Sequence, residues 1–267
     1  MRMIQTTAVA VLLGAHECAA ALLMGVTGSA SQLVRINTST AAVTPVGVVG
    51  VSGIFGLAFD PNSNTLFGAD WVTDQLLRID TSTGRGTVIA PLGSGDVFGL
   101  AFDANTNTLF GADAVVDQLL RIDTRTGAAT PVGAFGFPVV QSLAFDCRTN
   151  TLFGADSLTD QLLTINTLTG AATPVGGLGF QNVVGLAFDL GTNTLFGTNS
   201  ADLLKIDTST GTATLIGALG LSDVQGLAIV VPERSTFFML SSGILSLQAL
   251  RLRRYKRKRP QSRQHPL

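Results

Sequence analysis

The sequence predicts an all-β protein, a five-bladed β-propeller of about 43-residue four-stranded blades. Three observations lead there. Gly-Leu-Ala-Phe-Asp at Gly56–Asp60 returns at Gly99–Asp103, as Ser142–Asp146 and at Gly185–Asp189, each 43 residues on, and a shorter step of 41 brings Gly226–Val230. A second phrase, Leu-Phe-Gly-Ala-Asp, ends at Asp70, Asp113 and Asp156 and becomes Leu-Phe-Gly-Thr-Asn at Asn199. The copies also begin and end out of phase. The first, from Leu23-Met-Gly25 onward, lacks the Gly-Leu-Ala-Phe-Asp strand, and the last, Leu227 to Val231, has that strand alone. Such a period marks an array of units that cannot bury their apolar surface without neighbours.

The copy Gly99 to Gln141 shows the elements of one blade in order. Leu100-Ala-Phe102 is a short apolar strand, closed by the turn residues Asp103 to Asn107. Thr108 to Ala112 follows, then a loop from Asp113 to Asp117 and a third strand, Gln118 to Ile122. Asp123-Thr-Arg-Thr-Gly127 turns the chain into Ala128 to Gly133. Short apolar runs bounded by Asx, Thr and Gly are hairpin signals, and no helical apolar period competes with them. Within the first strand, alternation sends Leu57 and Phe59 to one face and Gly56 and Ala58 to the other, so adjacent sheets nest large against small. Phe59, Phe102, Phe145 and Phe188 read as core. Every strand type occurs five times, so joining Leu227–Val231 to the three strands of residues 21–50 completes a fifth blade and hides both free edges.

The expected domains are a signal peptide at 1–20, the propeller at 21–231 and a sorting or transmembrane segment with a basic tail at 232–267. Arg2, the apolar stretch Ile4 to Gly14 and Cys18-Ala19-Ala20 carry the order of a secretory signal. Its removal leaves Cys147 as the only cysteine, so no intramolecular disulfide is expected. At the other end an apolar segment, Phe237 to Leu250, with helix character precedes the basic residues Arg251, Arg253, Arg254, Lys256, Arg257, Lys258 and Arg259. Basic residues directly after an apolar segment favour a cytoplasmic tail and place the repeats outside. The formal charge of −1 hides this asymmetry: residues 1–250 hold 9 Lys+Arg against 18 Asp+Glu, a net of −9. An acidic body of that kind speaks against nucleic acid as a partner.

The tail resembles the PEP-CTERM sorting signal of Gram-negative bacteria, in which a Pro-Glu-Pro motif, a hydrophobic helix and an Arg-rich end stand in that order. Pro232 and Glu233 match the motif, and Arg234 replaces its second proline. The resemblance implies an exosortase-type processing enzyme as partner and transient anchoring in the inner membrane. It also implies a place at the cell surface or in an extracellular matrix of secreted polysaccharide. The blade pattern is similar to that of NHL and related propellers, a likeness that implies fold and not activity.

Residues 21–231 contain no His, Glu or Tyr and a single Cys, Cys147. A His-based triad, a Cys/His thiol site and a His/Cys zinc site are therefore excluded there. Aspartate remains. Asp70, Asp113 and Asp156 end the second strands, followed four residues later by Asp74, Asp117 and Asp160. Carboxylates repeated once per blade can converge near the axis and hold Ca²⁺, or can cap turns by accepting backbone N–H groups. The expectation is turn structure and no cofactor, with Ca²⁺ as the alternative. Trp71, the single tryptophan, stands where the next copies have Ala114 and Ser157, and an exposed ring there can stack on sugar. Asp70, Asp113, Asp156 and Trp71 are thus the candidate ligand-binding residues. The functional expectation is a non-enzymatic, exported interaction module with polysaccharide or a surface protein as partner. The alternative is a propeller glycosidase or lactonase using the Asp carboxylates, although copied aspartates share one environment and catalysis needs two.

Overall fold

The computed structural model describes residues 21–28 and 30–231. The expectations for residues 1–20, for Pro232 and Glu233, and for the apolar and basic segments after them lie outside the described residues. Among the described residues, twenty strands form five four-stranded antiparallel sheets. The first three are β1 (Leu22–Thr27), β2 (Gln32–Ile36) and β3 (Val43–Val48). One blade then comprises β4 (Ile54–Asp60), β5 (Thr65–Asp70), β6 (Gln75–Ile79) and β7 (Gly86–Pro91). The next holds β8 (Val97–Asp103), β9 (Thr108–Asp113), β10 (Gln118–Ile122) and β11 (Ala129–Ala134). A third runs through β12 (Val140–Asp146), β13 (Thr151–Asp156), β14 (Gln161–Ile165) and β15 (Ala172–Gly177). The last complete one is β16 (Gly185–Asp189), β17 (Thr194–Thr198), β18 (Asp202–Ile206) and β19 (Ala213–Ala218).

The strand left over, β20 (Val224–Val230), pairs with β1 and completes the blade that the N-terminus begins. Its register, Leu23↔Ile229, Met24↔Ala228 and Gly25↔Leu227, is the closure that the phase of the repeat predicts. The 41-residue step has a local cause. The second-to-third-strand segment is Asp156-Ser-Leu-Thr-Asp160 in one blade and only Asn199-Ser-Ala201 in the next, two residues shorter, and β17 ends one residue earlier than β13 while β14 and β18 are equally long.

Each hydrophobic cluster lies between two blades rather than within one. Leu57 and Phe59 pack with Met24, Val26 and Val230 of the closing blade, while Ala58 joins Phe67, Leu100 and Phe102 on the other side. Rings stack across successive junctions, Phe67 on Phe102, Phe110 on Phe145 and Phe153 on Phe188, with centroids 6.2–6.5 Å apart. Met24 against Phe59 and Phe196 against Ile229 occupy the same places at the two junctions of the closing blade. Alternation of large and small residues thus becomes a ring of interlocked faces, as close packing requires.

Glycine brings the innermost strands together at the axis. A Cβ on Gly226 would lie 2.5 Å from the Phe55 carbonyl oxygen, and one on Gly56 2.9 Å from that of Phe98. Between Gly56, Gly99, Ser142, Gly185 and Gly226 the axis retains about 10 Å³ of space, room for one water molecule at most. The opposite end, lined by Phe59, Phe102, Phe145, Phe188 and Ile229, opens to about 70 Å³.

Candidate functional site

Second strands end, and first strands begin, on one side of the ring, here called the upper face. There Ile54 pairs with Asp70 and Gly56 with Ala69, which leaves Phe55 as the unpaired residue of a β-bulge. The same irregularity isolates Phe98, Gln141 and Gln225. Bulging explains how these half-buried side chains come to surround the upper mouth of the axis instead of entering an inter-blade core. Phe55, Phe98, Gln141 and Leu227 are among the residues that line it.

Trp71 packs against two of these side chains. Its ring centroid lies 5.9 Å from those of both Phe55 and Phe98, and the two phenyl rings are 4.9 Å apart and steeply inclined. Each such aromatic pair contributes about 0.5–1.5 kcal/mol beyond its area burial. The Trp71 backbone N–H donates to the Gly53 carbonyl at 3.1 Å, and the residue keeps 38% of its surface exposed. Gly53 (φ +90°) allows the approach, because a Cβ there would sit 2.9 Å from Trp71 Nε1.

Asp70, Asp113 and Asp156 lie one strand farther out and do not line the axis. They are 0–2% exposed. In each, Oδ1 accepts backbone N–H groups two and three residues ahead: Val72 at 2.9 Å and Thr73 at 3.4 Å, Val115 at 2.9 Å and Val116 at 3.2 Å, Leu158 at 2.8 Å and Thr159 at 2.9 Å. These are Asx turns, which set the loop and leave Asp74, Asp117 and Asp160 in the left-handed region at φ near +50°. Burial, then the neighbouring Asp96 and Asp113 carboxylates, push the Asp74 carboxyl above its ordinary value. Burial, Asp156 and Asp113 do the same to Asp117. One oxygen each of Asp74, Asp117 and Asp156 is buried without a hydrogen-bond partner. Among the described residues no three His, Cys, Asp or Glu gather into a group that could hold a metal ion.

Loop geometry presents the residues between these aspartates to solvent. Val72, Val115, Val116 and Leu158 are 54–67% exposed at the tips of three consecutive loops. Of the described residues, the corresponding tips of the other two blades carry Gly28, Ala30 and Asn199 to Ala201, with no large apolar side chain. Sequence reading singled out Trp71 but missed Phe55, Phe98 and the four aliphatic tips. Position 55 lies one residue before the copied phrase and varies as Phe, Phe, Gln, Val, Gln, and a single Val or Leu in a loop carries no periodic signal.

Residues 16–187 match the family described as domain of unknown function DUF4394. The chain belongs to that family. No curated protein matches it. Among solved structures, a chain of the nidogen/laminin complex is similar at 16% identity, with 79% of this chain and 98% of that one covered and a TM-score of 0.58. A structural-genomics protein of unknown function from Bacteroides thetaiotaomicron is similar at 14% identity, covering 79% and 73%, with a TM-score of 0.53. Both likenesses are of fold alone.

Charge separates the two faces of this DUF4394 ring. The upper one holds nine aspartates: Asp70, Asp113 and Asp156 at strand ends, Asp74, Asp117, Asp160 and Asp202 before or at the third strands, and Asp96 and Asp223 in the loops entering β8 and β20. Among the described residues no Lys or Arg stands with them. Arg35, Arg78, Arg121 and Lys205 lie one residue before the far ends of the third strands, and Arg85, Arg125 and Arg148 in turns of the opposite face. Cys147 sits in one of those lower turns, half-buried, where burial pushes its thiol up and away from a reactive thiolate.

Proposed function

We propose that this chain is an exported, non-enzymatic interaction module of the cell surface or of an exopolysaccharide-rich extracellular matrix, and that it binds through its upper face. The N-terminal signal delivers it. The sorting-type tail from Pro232 and Glu233 to the basic residues Arg251–Arg259 holds it in the inner membrane until an exosortase-type enzyme releases it. The observation that carries this reading is the row of exposed apolar side chains, Trp71, Val72, Val115, Val116 and Leu158, on three consecutive loops at one face of a ring whose axis has about 10 Å³ of space. A face with rigid aromatic and aliphatic groups suits binding, and the filled axis offers no pocket of the 300–1,000 Å³ typical of small-molecule sites. The similar chain of the nidogen/laminin complex comes from a protein assembly, in keeping with an interaction role. A glycosidase or lactonase acting through Asp70, Asp113 and Asp156 would need those carboxylates open to substrate, and they are 0–2% exposed in their turns.

The test is fractionation of a polysaccharide-secreting Gram-negative host that expresses the full chain, with and without its exosortase. Intact mass should show loss of the basic tail only when the exosortase is present, and the released protein should stay with the surface or matrix fraction. Changing Val115, Val116 and Leu158 together to Ser should send it to the medium, while EDTA should leave retention unchanged. Retention that is indifferent to the triple variant overturns the assignment of the face, and turnover of glycoside or lactone substrates lost in Asp113→Ala overturns the non-enzymatic reading.

A further inference from the structure

The partner's chemistry can be read from the same face, and the inference rests on that face being the interaction surface. We propose that the arc formed by the loops 70–74, 113–117 and 156–160 docks a basic, apolar-rich segment of a partner protein. Aliphatic side chains of that segment cover Val72, Val115, Val116 and Leu158, and its Lys or Arg side chains meet the carboxylates between them.

Two independent features select this occupant. The apolar tips are exposed side by side on three blades and absent from the other two, so burying them favours a ligand with apolar groups of its own. The charge around them has one sign: among the described residues the upper face holds nine aspartates and no Lys or Arg. Opposite potentials steer and orient partners, and like ones exclude them. An anionic polysaccharide or an anionic lipid surface therefore meets repulsion here, and a neutral glycan leaves the four aliphatic tips uncovered. Asp74 and Asp117 are partly exposed at the ends of their loops, within reach of a docked Lys or Arg. Both carboxyls are also raised by burial and by adjacent carboxylates, a repulsion that a docked ammonium or guanidinium relieves.

Fluorescence anisotropy of the full chain with labelled short peptides tests this. One peptide alternates Lys with Leu, a second Glu with Leu, and a third Lys with Ser. The Lys-Leu peptide should bind about tenfold tighter than either of the others. Its affinity should fall several-fold as NaCl rises from roughly 50 to 300 mM, as expected of screened surface charge. The combined change Val115→Ser, Val116→Ser and Leu158→Ser, and separately Asp74→Asn with Asp117→Asn, should each weaken it by about fivefold or more. Leu168→Ser, in a turn of the opposite face, should not, and thermal unfolding verifies that each variant folds. Equal binding of the Glu-Leu peptide, or indifference to both sets of upper-face variants, overturns the proposal. Should purified exopolysaccharide bind instead, with loss in Trp71→Ala, the upper face remains the interaction surface and the partner class is wrong. If no probe binds and surface retention also ignores the triple variant, both readings fail.

Discussion

Ala41 occupies a backbone position that four blades give to glycine. Its φ is +58°, against +72° to +82° at Gly84, Gly127, Gly170 and Gly211. A left-handed conformation costs an L-residue about 1–2 kcal/mol, so the chain carries strain at one blade junction and avoids it at the others. The neighbour across the junction explains the difference. A Cβ on Gly84 would lie 2.5 Å from the Gly47 carbonyl oxygen, a backbone atom with no room to retreat. At Gly217, the counterpart of Gly47, the nearest atom to an added Cβ is the Ala41 Cβ itself at 3.2 Å, an opening that admits the methyl. Ala41 is fully buried, and losing its methyl costs about 0.8 kcal/mol, which offsets the strain relieved. Ala41→Gly should therefore unfold within about 1 kcal/mol of the parent. Gly84→Ala combines strain with a backbone clash and should cost about 2 kcal/mol or more. Urea midpoints decide it. If the two substitutions prove equally mild, close approach of the blades is not what reserves these sites for glycine.

Loops show two opposite uses of aspartate, and pH separates them. In the outer turn, the Ser82 hydroxyl and the backbone N–H groups of Ser82 and Thr83 hold the Asp80 carboxyl down at about 2. That group adds stability above the unfolded carboxylate value near 3.9, and loses it as pH falls through about 2. Asp117 in the upper loop is raised instead, so its folded form resists ionisation. Its penalty is absent below about pH 4 and grows as pH rises through the raised value. Asp117→Asn should hence stabilise at pH 7, by an increment that disappears near pH 3, over and above any constant gain from Asn in a left-handed conformation. Asp80→Asn should do the reverse, with a small deficit at pH 7 that fades toward pH 2. Denaturant midpoints at the two ends of the range measure both, and an Asp117→Asn gain that is flat with pH removes the electrostatic account. The outer turn was legible from sequence because an Asp or Asn followed by Thr-X-Thr names its own geometry at every copy, with Gly closing four of the five. The upper loop was not, since the burial of Asp74 and Asp117 and the carboxylates that face them arise from packing between distant parts of the chain, a relation no local pattern contains.

At the scale of the molecule, five blades and their closure follow from counting strands, because turn chemistry is local and the copied phrases keep phase to both ends. What the count leaves out is the polarity of the ring. The bulge that isolates Phe55 and Phe98, and the gathering of nine aspartates on one face, appear only when antiparallel strands alternate direction through space. Closure also has a kinetic meaning. Every blade but one is built from consecutive strands, whereas β20 must find β1 across some two hundred residues of chain. Contacts of long sequence separation slow folding more than they alter stability. A permuted chain removes that separation: it starts at Val51, joins Val230 to Leu22 through a copy of Pro61-Asn62-Ser63-Asn64, and ends at Gly50. This junction copies the loop that links Asp60 to Thr65, the equivalent strand ends of the next blade. Both free ends then fall between blades instead of inside one. Stopped-flow refolding should be faster in the permutant, while the unfolding rate, set by blade interfaces that both chains share, should change little. If refolding is no faster, pairing of β20 with β1 is not the slow step, and assembly of the blade interfaces themselves must be.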